Sequence, residues 1–234
     1  MKSVYKIPQK IKCLTDERKR KSIPLFNIVM PVLLFLMLQY ESFHTIFSAP
    51  ESMSKRLKNC ISGRIPKVDA VRDLLSRINP DEIRSIHEEM IDIIKRNRVF
   101  REGTIGGYVV AGLDGVELFS STKKSCPNCL SRKKHTGETE YFYRSVVCMI
   151  IGKSPHVILG QEMLKPRDGS GKDEGELTGG KRLIERLKKR HGHFADVIVA
   201  DALYLNAPFI NTLKENGLEA VSYTHLRAHE TSAH

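Results

Sequence analysis

Read as a pattern of apolar and polar positions, the chain changes texture twice. Residues 1–22 are polar and basic, with no sustained apolar period, and predict a mobile arm. From Ile23 to Tyr40 the chain is nearly all apolar, and residues 23–104 read as a helical region that could bind DNA. Its clearest helix start is Asn79-Pro80-Asp81-Glu82. Asn79 suits the N-cap, Pro80 the first helical position, and Glu82 the acid of a capping box. Ile83, Ile86, Met90, Ile93 and Ile94 then recur at helical spacing. After Phe100 short strands take over. Tyr108 to Leu113 is an apolar run ending at Asp114-Gly115, and Val116 to Phe119 reads as a second short strand. A polar loop, 120–140, follows. Tyr141–Ile151 and His156–Leu164 read as strands, Asp173–Arg190 as a helix, and Val197–Ala200 as a buried strand ending at Asp201. Ala207–Asn216 reads as a helix with Gly217 at its C-cap, before the start of another strand. Strands, helix, strand, helix, strand is the order of an α/β layer sandwich with a helical region in front.

Composition narrows the classes. Hydrophobic residues make up 41% of 234, enough for a real core, which excludes a globally disordered chain. The formal net charge of +11 favours a polyanion partner, nucleic acid before an anionic membrane surface. An ordinary basic soluble protein is compatible with the same charge. Five cysteines are too few and too scattered for a disulfide framework, so a reducing, cytoplasmic setting is expected. Residues 23–40 contain Asn27, Pro31 and Gln39. A membrane span needs about 20 mostly apolar residues, so this run reads as a buried helix.

The chemistry concentrates in few places. Asp114 and Asp201 each end a short apolar run, and strand ends are where α/β sheets present reactive groups. Asp is also an ordinary turn residue there. Cys126-x-x-Cys129 has zinc-knuckle spacing, with His135 near enough to join and Cys148 or His156 as the fourth ligand a closed Zn²⁺ site would need. A pair of reduced loop cysteines is the plainer reading. A thioredoxin-like motif is disfavoured, because no helix begins at Cys126. Lys133 and Lys134 in the loop, and Arg182, Arg186 and Lys189 on the helix, are candidate phosphate contacts or solvated surface. His191 and His193 read as partners of that helix's C-terminal dipole, and Tyr204 and Asn206 as lining near Asp201.

Several stretches taken together resemble a known family. They are Gly112-Leu113-Asp114-Gly115, Leu118-Phe119-Ser120, Cys126-Pro127-Asn128-Cys129-Leu130, Asp173-Glu174-Gly175-Glu176-Leu177 and Ala200-Asp201-Ala202-Leu203-Tyr204. In this order and spacing they resemble the core of IS4-like DDE transposases, over residues 108–219 and extending toward the apolar helix near Pro24–Leu38. The resemblance implies a ribonuclease-H-like mixed sheet with flanking helices over 105–220, Asp114 on its first strand and Asp201 on its fourth. It implies two Mg²⁺ ions, with Asp114 bridging both and Asp201 binding one. The implied partners are double-stranded DNA at transposon ends and target, with a homodimer in the full-length protein and association with the nucleoid. A third acid with a Tyr-Arg-Glu-Lys signature belongs after Asp201, and nothing there matches it. Glu174 and Glu176 precede Asp201 and read as helix N-terminal acids, with Glu162 a further outside candidate. The expectation is therefore a catalytic core without its third ligand, inactive as it stands.

Val221 to Thr231 (VSYTHLRAHET) resembles the conceptual translation of a sequencing-library adapter, with Ser232-Ala233-His234 as read-through. On that reading 221–234 is a non-native tail, the natural sequence stops near Glu219 or Ala220, and His225, His229 and His234 are not a metal cluster. Two other functions stay open: a ribonuclease-H-like nuclease without strand transfer, and a non-enzymatic, membrane-anchored zinc and nucleic-acid-binding protein.

Overall fold

The computed structural model describes residues 5–39, 59, 61, 66–102, 104–152, 156–167 and 172–223. Cys60, residues 153–155 and the tail histidines His225, His229 and His234 lie outside them. The chain divides into two compact units, Met1–Met90 and Ile91–His234.

The first unit is helical: α1 (Ile7–Lys12), α2 (Phe26–Met37), α3 (Val68–Leu75) and the first part of α4 (Pro80–Arg96). The expected mobile arm instead contributes to a core. Ile7, Ile11 and Leu14 are buried with Leu25, Ile28, Val32, Val71 and Leu74. Arg18 is buried too, donating to both carboxylate oxygens of Asp16 and to the carbonyl of Ile23. Basic composition had hidden the apolar spacing of Ile7, Ile11 and Leu14. The apolar run forms α2 with Pro31 inside it. Among the described residues no helix is long and apolar enough to cross a membrane. Asn79 caps α4 as expected, its side chain accepting the Asp81 amide at 2.9 Å. Glu82 does not reach back to close a capping box; it accepts the amide of Thr15 at 2.7 Å.

The second unit is built on one mixed sheet. Its elements are α5 (Val99–Glu102), β1 (Val110–Ser121), β2 (Leu130–Lys133), β3 (Thr139–Ile150), β4 (Val157–Met163), α6 (Glu176–His191), β5 (Val197–Asp201), a 3-10 turn (Ala202–Tyr204), α7 (Ala207–Glu215) and β6 (Glu219–Tyr223). The path across the sheet is β2-β3-β1-β5-β6, and β4 also pairs with β3. β2 takes the first part of the free edge of β3 and β4 takes the rest. β1, β3 and β4 are antiparallel neighbours, whereas β5 and β6 run parallel to β1. Setting short β2 aside, the order is β4-β3-β1-β5-β6, with α6 before β5 and α7 before β6.

Three sequence expectations change here. The two short strands around Asp114 are one strand of 12 residues, so Asp114 lies within β1 rather than at its end. The long antiparallel pairing with β3 carries the strand through Asp114-Gly115, which in isolation reads as a turn. The polar loop contains β2, recruited by pairing with β3. The helix expected from Asp173 begins at Glu176; Asp173 instead accepts the amides of Ser131 and Arg167.

α6 packs its Leu183, Ile184 and Leu187 face on the sheet, where all three are essentially inaccessible. They share a core with Leu113, Val146, Leu159, Ile198, Phe209 and Leu213. Gly217, at φ 69°, ends α7 as its C-cap position requires. Val221 to Tyr223 continue the strand begun at Glu219 and pair with β5, and residues 224–234 lie outside the described set.

Candidate active site

β1 and β5 run side by side in parallel, with Leu113 beside Ala200. The next position along each strand is Asp114 and Asp201. Strand neighbours in register stand about 5 Å apart and point to the same sheet face. Continued by one residue, that register sets the two aspartates side by side, where β5 stops and β1 continues. Asp114 is exposed and Asp201 half-buried. Each also makes a local bond: Asp114 accepts the amide of Gly115 at 2.8 Å, and Asp201 accepts that of Leu203 at 2.9 Å, capping the 3-10 turn.

Two residues that sequence reasoning set aside or only touched on lie within electrostatic reach of the pair, against the Gly115 side of β1. Tyr204, at the end of that turn, is 3% exposed. Its hydroxyl donates to Glu176 at 3.2 Å. Its ionisation is pushed well up by burial first, then by the negative charges of Glu176, Asp114 and Asp201. One buried hydroxyl thus feels three carboxylates. Glu176, in the first turn of α6, also forms an ion pair with Arg144 of β3 at 2.8 Å. Reading Glu176 as a helix N-terminal acid was right about its position and incomplete about its neighbours. Only sheet register and the packing of α6 bring it here.

Gly115 makes room for that carboxyl group, since a Cβ on Gly115 would overlap it. Glu176 cannot simply swing aside, because Arg144 and Tyr204 hold it. The Gly115→Ala protein is expected to lose about 1–3 kcal/mol through overpacking. Urea unfolding reads this as a lower midpoint at unchanged slope. An unchanged midpoint would show that Glu176 moves freely.

The other acids serve the fold. Glu174 is buried, accepts the amide of Lys165 at 2.8 Å, and takes two nitrogens of Arg182. Glu162 pairs with Arg182 at 2.8 Å and Arg186 at 3.1 Å. Arg182 donates further to the carbonyl of Met163, and Arg186 to that of Gln161. The side chains of these two arginines therefore clamp α6 to β4. Lys134 pairs with Glu140 at 3.0 Å, while Lys133 and Lys189 are exposed. His191 and Arg190 both bond to Asp92 of α4, and His193 to Asp196. Asn206 caps α7 by accepting the amide of Phe209.

The cysteine motif is only partly assembled. Cys126 and Cys129 meet, with sulfurs 3.0 Å apart. Cys148 is wholly buried on β3, which pushes its thiol up to about 12. His156 contacts the carbonyl of Gly152 at 3.2 Å, and His135 is exposed. Among the described residues no group of three or more His, Cys, Asp or Glu is arranged to hold a metal ion. That holds for the Cys pair and for Asp114, Asp201 and Glu176. Two adjacent carboxylates nonetheless offer the hard oxygens that suit Mg²⁺, which uses one or two carboxylates and keeps its waters.

Fold and site together define a mixed α/β unit with paired acids on adjacent parallel strands. No family model and no curated protein matches the chain. Among solved structures it is similar to a piggyBac transposase, seen by cryo-EM in a synaptic complex with hairpin DNA. The identity is 13% and the TM-score 0.39, over 98% of this chain and 50% of the other, so this chain spans about half that protein's length. Similarity this low fixes neither fold nor function.

Proposed function

We propose that residues 105–220 are the ribonuclease-H-like core of a DNA transposase, acting by metal-dependent phosphodiester cleavage and strand transfer on double-stranded DNA. The observation that carries the reading is the parallel register of β1 and β5, which ends with Leu113 beside Ala200, one residue before Asp114 and Asp201 on each strand. The surrounding topology supports it: three antiparallel strands, a helix, a strand parallel to the first, a helix and a further parallel strand. So does the order of motifs resembling IS4-like transposases, in which the first acid lies on the first strand and the second on the fourth.

In this reading Asp114 and Asp201 would hold Mg²⁺ through their carboxylate oxygens. Bound there, the ion would activate water or a 3′-hydroxyl and stabilise the leaving oxygen. Arg144 and Tyr204 fix Glu176 over Gly115, one residue along β1 from Asp114. Exposed Lys133 and Lys189 remain open to phosphate contact, which positions DNA without reading its sequence. The third acid of the family's signature is not among the residues after Asp201.

Duplex DNA binding measured by fluorescence anisotropy is expected to tighten when Ca²⁺, which binds without supporting cleavage, is added. Asp114→Asn and Asp201→Asn should keep the metal-independent, salt-sensitive binding and lose the Ca²⁺ increment. If Ca²⁺ acts equally on all three proteins, the acids are not a metal site and the reading fails. A protein that binds no duplex at low salt would sink it altogether.

A further inference from the structure

The turn leading into β2 holds an arrangement the proposed DNA chemistry does not use. The amide of Cys129 donates to the carbonyl of Cys126 at 3.1 Å, closing a tight four-residue turn. The turn brings the two sulfurs to 3.0 Å. On its other side Cys126 meets the hydroxyl of Tyr143, on β3, 2.6 Å from its sulfur. Both cysteines are half-buried, so solvent and small reagents reach them. The other described thiols lack such neighbours: Cys13 is exposed and Cys148 wholly buried.

Two accessible thiols in contact can share a metal or exchange with disulfides. A structural metal site needs more donors than this pair, and none joins it among the described residues. Exchange needs only the pair. A turn closed from residue i to i+3 keeps its end Cα atoms within about 7 Å, close to the span a disulfide requires. We propose that Cys126 and Cys129 form a redox-active dithiol, closing reversibly to a disulfide by exchange with a low-molecular-weight disulfide such as oxidised glutathione.

The Cys126 thiolate attacks one sulfur of the small disulfide. That S–S bond breaks, one small thiolate leaves, and a mixed disulfide forms on Cys126. Cys129 gives its proton to solvent and attacks the Cys126 sulfur, expelling the second small thiolate. Two protein thiols are oxidised, and one small disulfide is reduced to two thiols. The Tyr143 hydroxyl is the activating group. Its hydrogen bond, and secondarily that of Cys129, holds the Cys126 thiol below its ordinary range. In other Cys-x-x-Cys proteins a helix N-terminus supplies such stabilisation; here a hydroxyl on the neighbouring strand does. The closed disulfide would staple the turn that precedes β2 and Lys133. This inference is independent of the transposase reading.

The test is equilibration of the whole chain in reduced and oxidised glutathione buffers, followed by acid quench, alkylation and peptide mass mapping. Oxidising buffers should give a Cys126–Cys129 disulfide, lighter by two hydrogens, with Cys13 and Cys148 outside it and full reversal in reducing buffer. Cys129→Ser should instead trap glutathione on Cys126, because the resolving thiol is gone. Tyr143→Phe should slow alkylation of Cys126 several-fold at neutral pH, an effect that loss of packing alone would not confine to this thiol. The proposal is overturned if both thiols stay alkylatable across the range, if oxidation joins other cysteines, or if purified protein carries stoichiometric zinc that protects the pair until chelated. The wild-type measurement decides the matter even if a variant fails to fold.

Discussion

Replacing either Asp114 or Asp201 by Asn is expected to weaken Mn²⁺ binding by at least about 10–100-fold, the loss that even an outer partner of a metal ligand can produce. Mn²⁺ reports on a hard-oxygen site and can be titrated by electron paramagnetic resonance without turnover. With Leu113 beside Ala200, the next residue on each strand is a carboxylate, and the register carries both to one sheet face. Each is weak alone, since one exposed carboxylate binds a divalent cation poorly. Removing either should therefore abolish most of the affinity rather than half. The same substitutions should leave the metal-free protein as stable as before or slightly more so, because they relieve repulsion between like charges. That opposite sign separates loss of a ligand from loss of the fold. Glu162→Gln is the control: its carboxylate is committed to Arg182 and Arg186. It should alter stability and leave Mn²⁺ affinity alone. If Asp114→Asn binds Mn²⁺ like the parent, the site is not at the β1–β5 junction.

Leu183→Ala is expected to cost the sheet unit about 2–5 kcal/mol, the range for removing a large aliphatic side chain from a packed core. Leu183 is inaccessible and lies in the core shared by α6 and the sheet. A Cβ added to Gly160 of β4 would sit 3.4 Å from a Leu183 methyl, so helix and strand meet closely there. Truncation leaves a cavity that neighbours fixed by β3 and β4 close poorly. Thermal unfolding followed by circular dichroism should show a fall of several degrees for each kcal/mol lost. α6 also carries Glu176, Arg182 and Arg186, so loosening it should expose the Arg182–Glu174 contact to solvent. A change within about 0.5 kcal/mol, the usual range for surface substitutions, would contradict the packing of α6 described above.

The periodic parts of this protein were legible without coordinates. α4, α6, α7, β3, β4 and β5 follow from apolar spacing and from caps such as Asn79 and Gly217, because those signals depend on neighbours a few residues apart. Asp114 and Asp201 were legible as candidates for the same reason, each closing an apolar run. Residues whose role comes from distant partners were not. β1 continues through Asp114-Gly115 because β3 pairs along its length. β2 exists because the first part of β3 offers an edge. Glu82 bonds to Thr15 instead of its own helix start. Arg182 and Arg186, which composition offers to DNA, are drawn to Glu162 and Glu174.

By itself the sequence determined the α/β order, the two strand aspartates and the Cys-x-x-Cys turn, all set by local backbone preference and periodic burial. Only the tertiary structure decided that β1 and β5 run in parallel register up to the aspartates and that Tyr204 and Arg144 hold Glu176 over Gly115. It also decided that Tyr143, rather than His135, meets Cys126. Register and packing bring together groups far apart in the chain, and nothing in a local pattern encodes which distant edge a strand will find.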